Sequence, residues 1–305
     1  MTEDGSNGMQ TRCGFAAVIG APNAGKSTLV NLLVGAKVSI VTHKVQTTRT
    51  RVLGIALRDQ VQIAFIDTPG IFKPKRRLDR AMVSAAWSGA QDADATVLLV
   101  DAQGGVTPEV EDILKGLKES GRKAVLALNK IDLVKRDELL LLADRLNKTE
   151  LFSDIFMIAA TKGDGTEDLI DHLAERMPVS PWLFPEDQLS DMPQMLLAAE
   201  VTREKLFLNV HQELPYSLTV ETENYEVRKD GSVKIEQVIY VERDSQRKIV
   251  LGKGGSKVRT VGASARKELE DMLECRVHLF LYVKVRDRWQ DDPERYRVWN
   301  LDFRA

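Results

Sequence analysis

The chain has 305 residues, with 43 basic and 45 acidic side chains and 43% hydrophobic residues, a profile that excludes a disordered chain and, at ~150 residues per domain, predicts two compact domains. A formal net charge of -2 excludes a protein basic over its whole surface while leaving room for a local basic patch. Apolar runs such as 95–100 and 124–128 fall far short of the ~20 residues that cross a bilayer.

The first ten residues lack the cationic start and apolar stretch of a signal peptide. Cys13 and Cys275 form no CxxC pair, and His43, His172, His211 and His278 show no metal-ligand spacing, so neither a disulfide framework nor a zinc site is expected. A cytoplasmic, reducing setting follows as the expectation.

After an N-terminal tail over residues 1–13, short β-branched runs at 15–19, 52–57, 61–66, 96–100, 124–128 and 155–158 alternate with helical patterns. That rhythm predicts an α/β domain over 14–177 with a mostly parallel sheet. Only Arg58, Asp59 and Gln60 separate two of the runs, too few for a crossover helix, so one antiparallel edge strand is expected.

Directly after the first run comes Gly20-Ala21-Pro22-Asn23-Ala24-Gly25-Lys26-Ser27, which satisfies GxxxxGK[ST] between a strand and a helix, the context in which backbone N–H groups cradle phosphate. The amides of Asn23, Ala24, Gly25 and Lys26 are candidate phosphate donors, with Ser27 and Thr28 opening the helix. Lys26 neutralises β and γ oxygens, and the Ser27 hydroxyl suits Mg2+. Asp67-Thr68-Pro69-Gly70 ends the third run. Asp67 is a candidate for the same ion, and the Gly70 N–H for the γ-phosphate.

Lys73-Pro74-Lys75-Arg76-Arg77 follows and reads as a solvated face. After the fifth run, Asn129-Lys130-Ile131-Asp132 places a carboxylate at Asp132 that can accept from guanine N1–H and the exocyclic amine. Adenine would turn a lone pair toward it, and a buried mismatch costs about 1 to 3 kcal/mol. GTP and GDP are the expected ligands.

Between 177 and 194 the periodicity gives way to Pro178, Pro181, Pro185 and Pro193, so a linker is expected at 178–194. Beyond it the pattern is α+β, with a helix over 195–214, strands at 217–227 and 233–241, two helices of which the first starts at Arg247, and a strand at 277–285. Gly252-Lys253-Gly254-Gly255 lies between those two helices. GxxG alone is nearly uninformative, as Gly5-Ser6-Asn7-Gly8 in the tail illustrates, but this one has a helix on either side. Such a loop lets a single-stranded backbone approach closely, and Lys248, Lys253, Lys257, Arg259, Arg266 and Lys267 supply the local cationic excess. Lys248, Gly252, Lys253, Gly254, Gly255, Lys257 and Arg259 are the candidate RNA-binding set. Trp182, Trp289 and Trp299 read as packing residues.

On these residues the chain resembles the Era family of bacterial ribosome-assembly GTPases, in the TrmE-Era-EngA-YihA-Septin-like superfamily. Residues 14–177 are similar to a translation-factor-type GTPase domain, and Gln46-Thr47-Thr48-Arg49 fits the family's switch I. The resemblance implies a P-loop GTPase domain followed by a smaller type II KH domain over 195–305, including a C-terminal tail. It also gives Thr47 or Thr48 to Mg2+ and the γ-phosphate, which adds them to Lys26 and Gly70 as catalytic candidates. Ala159 replaces the serine of the family's guanine-contacting element; backbone donation from Ala160 to guanine O6 survives that change and the hydroxyl bond does not.

Ile71 stands where many GTPases carry a water-orienting glutamine, which implies slow intrinsic turnover. Asn23 stands where some relatives hold K+. The implied partners are the 3′ end of 16S rRNA and the 30S subunit, with weak peripheral association with the cytoplasmic face of the inner membrane. The rival expectation is an RNA-binding assembly scaffold in which guanine nucleotide is mainly a structural ligand.

Overall fold

The computed structural model describes residues 10–42, 44, 47–210 and 214–305. Gly5 to Gly8, His43, Gln46 and His211 lie outside them. The chain divides into two compact units. One is built from residues up to 39, 48–75 and 82–191, the other from 40–47, 76–81 and 192–305.

The first unit is organised by a six-stranded sheet of β1 (Arg12–Gly20), β2 (Val52–Arg58), β3 (Val61–Asp67), β4 (Ala95–Asp101), β5 (Ala124–Asn129) and β6 (Phe152–Met157), in the order β2-β3-β1-β4-β5-β6. All neighbours pair in parallel except β2 with β3. The short 58–60 connection therefore gives the expected antiparallel edge. Every residue of β5 is buried, as are all those of β4 before Asp101. Those strands read as continuous apolar runs because both faces of a parallel sheet are covered.

The helices α1 (Lys26–Val34), α2 (Arg77–Asp92), α3 (Pro108–Ser120) and α4 (Arg136–Asn147) connect these strands, and α5 (Thr166–Arg176) follows β6. In α3, Thr107 caps the start by accepting from the Val110 N–H, Pro108 occupies the first turn and Gly121 ends it in the left-handed region, each where helix-end chemistry favours it. Parallel pairing brings the carboxyl ends of β1, β3, β4 and β5, at Gly20, Asp67, Asp101 and Asn129, to one edge. Loops converge there, as in other open α/β sheets.

The 178–194 segment carries a turn at Pro185–Gln188, gives its last residue, Gln194, to the next helix and, as far as Asp191, is tied to the first unit. Cys13 N–H donates to the Pro178 carbonyl (3.1 Å), Ile55 N–H to that of Leu189 (2.9 Å) and Leu53 N–H to Asp191 (3.1 Å). The side-chain oxygen of buried Gln62 accepts from the N–H groups of Leu183 and Phe184, both at 3.0 Å.

The second unit holds α6 (Gln194–Asn209), β7 (Leu218–Val227), β8 (Val233–Val241), α7 (Asp244–Leu251), α8 (Ser256–Leu273), β9 (Val277–Val285) and α9 (Pro293–Val298). Its sheet runs β7-β8-β9, with β7 antiparallel and β9 parallel to β8. Ala198 and Val201 of α6, Val261, Ala265 and Leu269 of α8, and alternate residues of the strands make its core.

The expected helix over 195–214 is corrected. It ends at Asn209, and Leu214 opens a short 3-10 turn. The central turns of α6 are buried on all sides, including Glu200, Arg203 and Glu204, so no exposed polar face marks where the helix stops. Helix α7 begins at Asp244, about one turn before the expected Arg247. Trp289 and Trp299 are buried and pack edge to face.

Candidate nucleotide and RNA sites

Between β1 and α1 the loop folds tightly around its own backbone. Gly25 adopts φ 101, and a Cβ there would lie 2.3 Å from Asn129 Nδ2, so only glycine is tolerated at this point. Asn23 also sits in the left-handed region at φ 63. Lys26 is buried, and its Nζ donates to the carbonyls of Gly20 (3.1 Å) and Ala21 (2.9 Å). Burial pushes its pKa down to about 8, against the opposing pull of Asp67.

Ser27 Oγ donates to Asp67 Oδ2 at 2.7 Å and lies 2.9 Å from Thr48 Oγ1, which is itself 3.3 Å from the same carboxylate oxygen. Burial raises the Asp67 pKa, and the Ser27 hydroxyl opposes it. The other oxygen, Asp67 Oδ1, is buried with no hydrogen-bond partner among the described residues. Two hydroxyls and a carboxylate with an unspent oxygen are a hard donor set of the kind Mg2+ accepts. The Thr47 hydroxyl pairs instead with Thr42 Oγ1 and the Lys44 carbonyl, both at 2.8 Å.

Gly70 follows β3, and the next amide, Ile71 N–H, donates to the Gly20 carbonyl at 3.0 Å. The Ile71 side chain is buried in the apolar core beside Ala17 and Ile19 of β1, so it offers no group that could hold a water.

Asn129 is buried. Its Nδ2 donates to the Ala24 carbonyl (2.8 Å) and its Oδ1 accepts from Ala160 N–H (3.0 Å). The Ala160 amide expected to serve guanine O6 is thus already engaged, and a base would share it. Ala159 N–H donates to the Asp164 carbonyl at 3.0 Å. Thr28 lies within the first turn of α1. Sequence reasoning missed two neighbours. Lys162 Nζ lies 3.1 Å from Asp132 Oδ2, and Asp101 pairs with Lys130. The strand run at 96–100 stopped one residue short of Asp101, and only its register opposite Asn129 reveals it.

Comparison with known proteins bears on the whole chain. Residues 15–130 match the family of 50S ribosome-binding GTPases, and residues 213–290 match the KH domain family. The GTPase Era of Sinorhizobium medicae is 62% identical over 293 residues, covering 96% of this chain and 94% of that protein. The chain belongs to the Era family of GTPases. The GTPase Era of Brucella suis is 60% identical over 294 residues, with the same coverage of each chain.

Among solved Era structures, a point variant of Aquifex aeolicus Era bound to GDP.AlF4- superposes with a TM-score of 0.89 at 36% identity, over 95% of this chain and 99% of that one. Era in complex with MgGDPNP and nucleotides 1506-1542 of 16S ribosomal RNA gives 0.90 at 36% identity, over 95% and 98%. Membership of the Era family makes the first unit a P-loop GTPase that hydrolyses GTP, and gives the second its KH identity.

In the second unit the candidate RNA loop joins α7 to α8. Gly252 has φ 70, and a Cβ there would come within 2.8–3.0 Å of Lys257, so glycine is required for the two helices to meet. Lys253 and Lys257 are exposed, and neither has an ion pair among the described residues. Lys248 is exposed and lies 3.4 Å from Asp244. Arg259 folds back on its own loop, with Nε donating to the Gly255 carbonyl at 3.3 Å and Nη2 to that of Gly254. Among the described residues no His, Cys, Asp and Glu cluster could hold a metal, and no helix is long and apolar enough to cross a membrane.

Proposed function

We propose that this protein is a GTP-hydrolysing switch that binds the single-stranded 3′ end of 16S rRNA through its KH loop and acts in assembly of the 30S subunit. The observation that carries the reading is its 36% identity, over 95% of the chain, to Era in complex with MgGDPNP and nucleotides 1506-1542 of 16S ribosomal RNA. A cytoplasmic setting, with weak peripheral association with the inner membrane, is part of the same proposal.

In this reading the amides of Asn23 to Lys26 and the Lys26 ammonium bind the β- and γ-phosphates, and the Gly70 N–H meets the γ-phosphate. Ser27, Thr48 and Asp67 hold Mg2+, which neutralises phosphate oxygens when bound. Thr48 is preferred to Thr47 because only its hydroxyl lies beside both Ser27 and Asp67. Asp132 selects guanine. Lys248, Gly252, Lys253, Gly254, Gly255, Lys257 and Arg259 face the RNA backbone, with Lys253 and Lys257 as its principal charge partners.

With Ile71 committed to the core, no side chain at that position polarises the attacking water. The Asn23 side-chain oxygen is suited to K+, which would supply positive charge near the transferring phosphoryl group. The test is single-turnover GTP hydrolysis with and without a 3′-terminal 16S fragment, in potassium and in sodium. The switch predicts slow hydrolysis that RNA accelerates, and faster hydrolysis in potassium. A rate indifferent to RNA favours the scaffold, and equal rates in the two salts remove K+.

A further inference from the structure

The geometry points to Asp101 as a positioning residue for nucleotide binding, one that fixes Lys130 so that Lys130 in turn holds the phosphate loop. The inference rests on the nucleotide reading above. It concerns a residue that contributes no atom to phosphate, metal or base.

Lys130 adopts φ 63, a left-handed backbone that a long side chain rarely takes up unaided. Its Nζ donates to the Asn23 carbonyl (2.9 Å) and to Asp101 Oδ2 (2.5 Å). An ammonium has three donors and no preferred plane, so the carboxylate decides where it points.

The carboxylate is itself held. Asp101 Oδ1 accepts from the N–H groups of Gln103 (3.0 Å) and Gly104 (3.4 Å), and the Gly105 N–H closes the turn on the Asp101 carbonyl (2.9 Å). One oxygen is thus spent on the turn after β4 and the other is presented to Lys130. Asp101 also stands opposite Asn129 in the parallel register, so sheet pairing sets its distance from the residue before Lys130.

Lys130 and Asn129 grip consecutive carbonyls of the phosphate loop, those of Asn23 and Ala24. Asn23 is likewise left-handed at φ 63, and its carbonyl must turn away from the phosphates for its amide to face them. Without Asp101 the lysine loses its bearing. The loop then samples conformations that cannot converge on phosphate, and the affinity falls by the fraction lost.

The test uses the full chain with Asp101→Asn, which keeps an acceptor for the turn amides and removes the charge facing Lys130, and with Asp101→Ala. Release and affinity of a fluorescent GDP analogue, KM and kcat for GTP, and the unfolding midpoint without nucleotide are measured for each. Asp101→Asn is expected to weaken GDP binding about tenfold through faster release and to raise KM by a similar factor. Its kcat and unfolding midpoint stay at the wild-type values.

In a Lys130→Met background the same substitution adds less than about twofold, because the two residues act in series. Unchanged GDP affinity, a loss that tracks a lowered midpoint, or a full tenfold loss in the Lys130→Met background would each overturn the inference. Wild-type protein that binds ADP as well as GDP would instead defeat the nucleotide reading itself.

Discussion

Lys26 is where burial and function pull hardest against each other. It was legible from the GxxxxGK[ST] pattern, but its titration was not, because that depends on how fully the folded loop removes the ammonium from water. With its pKa pushed down to about 8 from an ordinary 10.5 by burial, the group gives up its proton far more readily than a free lysine before nucleotide arrives. A phosphate restores the charged form, so between about pH 8 and 10.5 binding must take up a proton and affinity must fall as pH rises. The sign for folding is opposite. The unfolded chain binds more protons in that window, so stability without nucleotide rises with pH through it, and the penalty for burying the charge is fully present below pH 8. GDP titrations in two buffers of different ionisation heat should show more proton uptake at pH 8.5 than at pH 7. Equal heats in both buffers at both pH values would mean that Lys26 stays charged throughout.

The same contrast separates the residues the sequence displayed from those it hid. Asp67, Asn129 and Asp132 stand in motifs whose spacing is fixed by strand ends, so they could be picked out one by one. Asp101 and Lys162 lie far along the chain from the Lys130 and Asp132 they pair with, and nothing local marks them. The choice between Thr47 and Thr48 was open for a related reason. Adjacent residues in an extended segment point opposite ways, and only folding decides which hydroxyl meets Ser27.

At the level of elements, β9 was legible to the residue, because Val277, Leu279, Leu281 and Val283 alternate with an exposed face. The end of α6 was not, because burial around the helix erased its periodicity. Residues 178–194 read as a linker from their prolines, yet their backbone bonds to β1 and β2, and to the Gln62 side chain on β3, depend on partners more than a hundred positions away.

The glycine loop shows which substitutions can test an element without breaking it. At Gly252 a side chain would collide with Lys257, whereas at Gly254 a Cβ meets nothing within 4 Å and only φ 60 is demanding. Aspartate tolerates that conformation better than most residues. Lys253→Asp combined with Gly254→Asp should therefore leave the fold intact and weaken binding of a 3′-terminal 16S fragment at least about tenfold, with a salt dependence shallower by about one unit of slope. GTP affinity should not change. Unaltered RNA affinity, or equal losses for RNA and GTP, would contradict the assignment of this loop.

For the whole molecule, the question is whether two binding sites on one chain make a switch. A scaffold needs no communication between them. A switch needs a coupling free energy, and thermodynamic linkage makes that energy reciprocal. If a non-hydrolysable GTP analogue in place of GDP changes RNA affinity by some factor, RNA must change the preference for the analogue over GDP by the same factor. Couplings of about 5- to 150-fold are usual between such sites, and about tenfold is the expectation for a switch of this kind. Two independent titrations decide it, RNA into protein saturated with each nucleotide, and nucleotide competition with and without saturating RNA. Equal factors other than one, in either direction, establish the switch, and two factors of one leave an RNA-binding protein that happens to hold a nucleotide. Unequal factors would mean that RNA or nucleotide engages a further site.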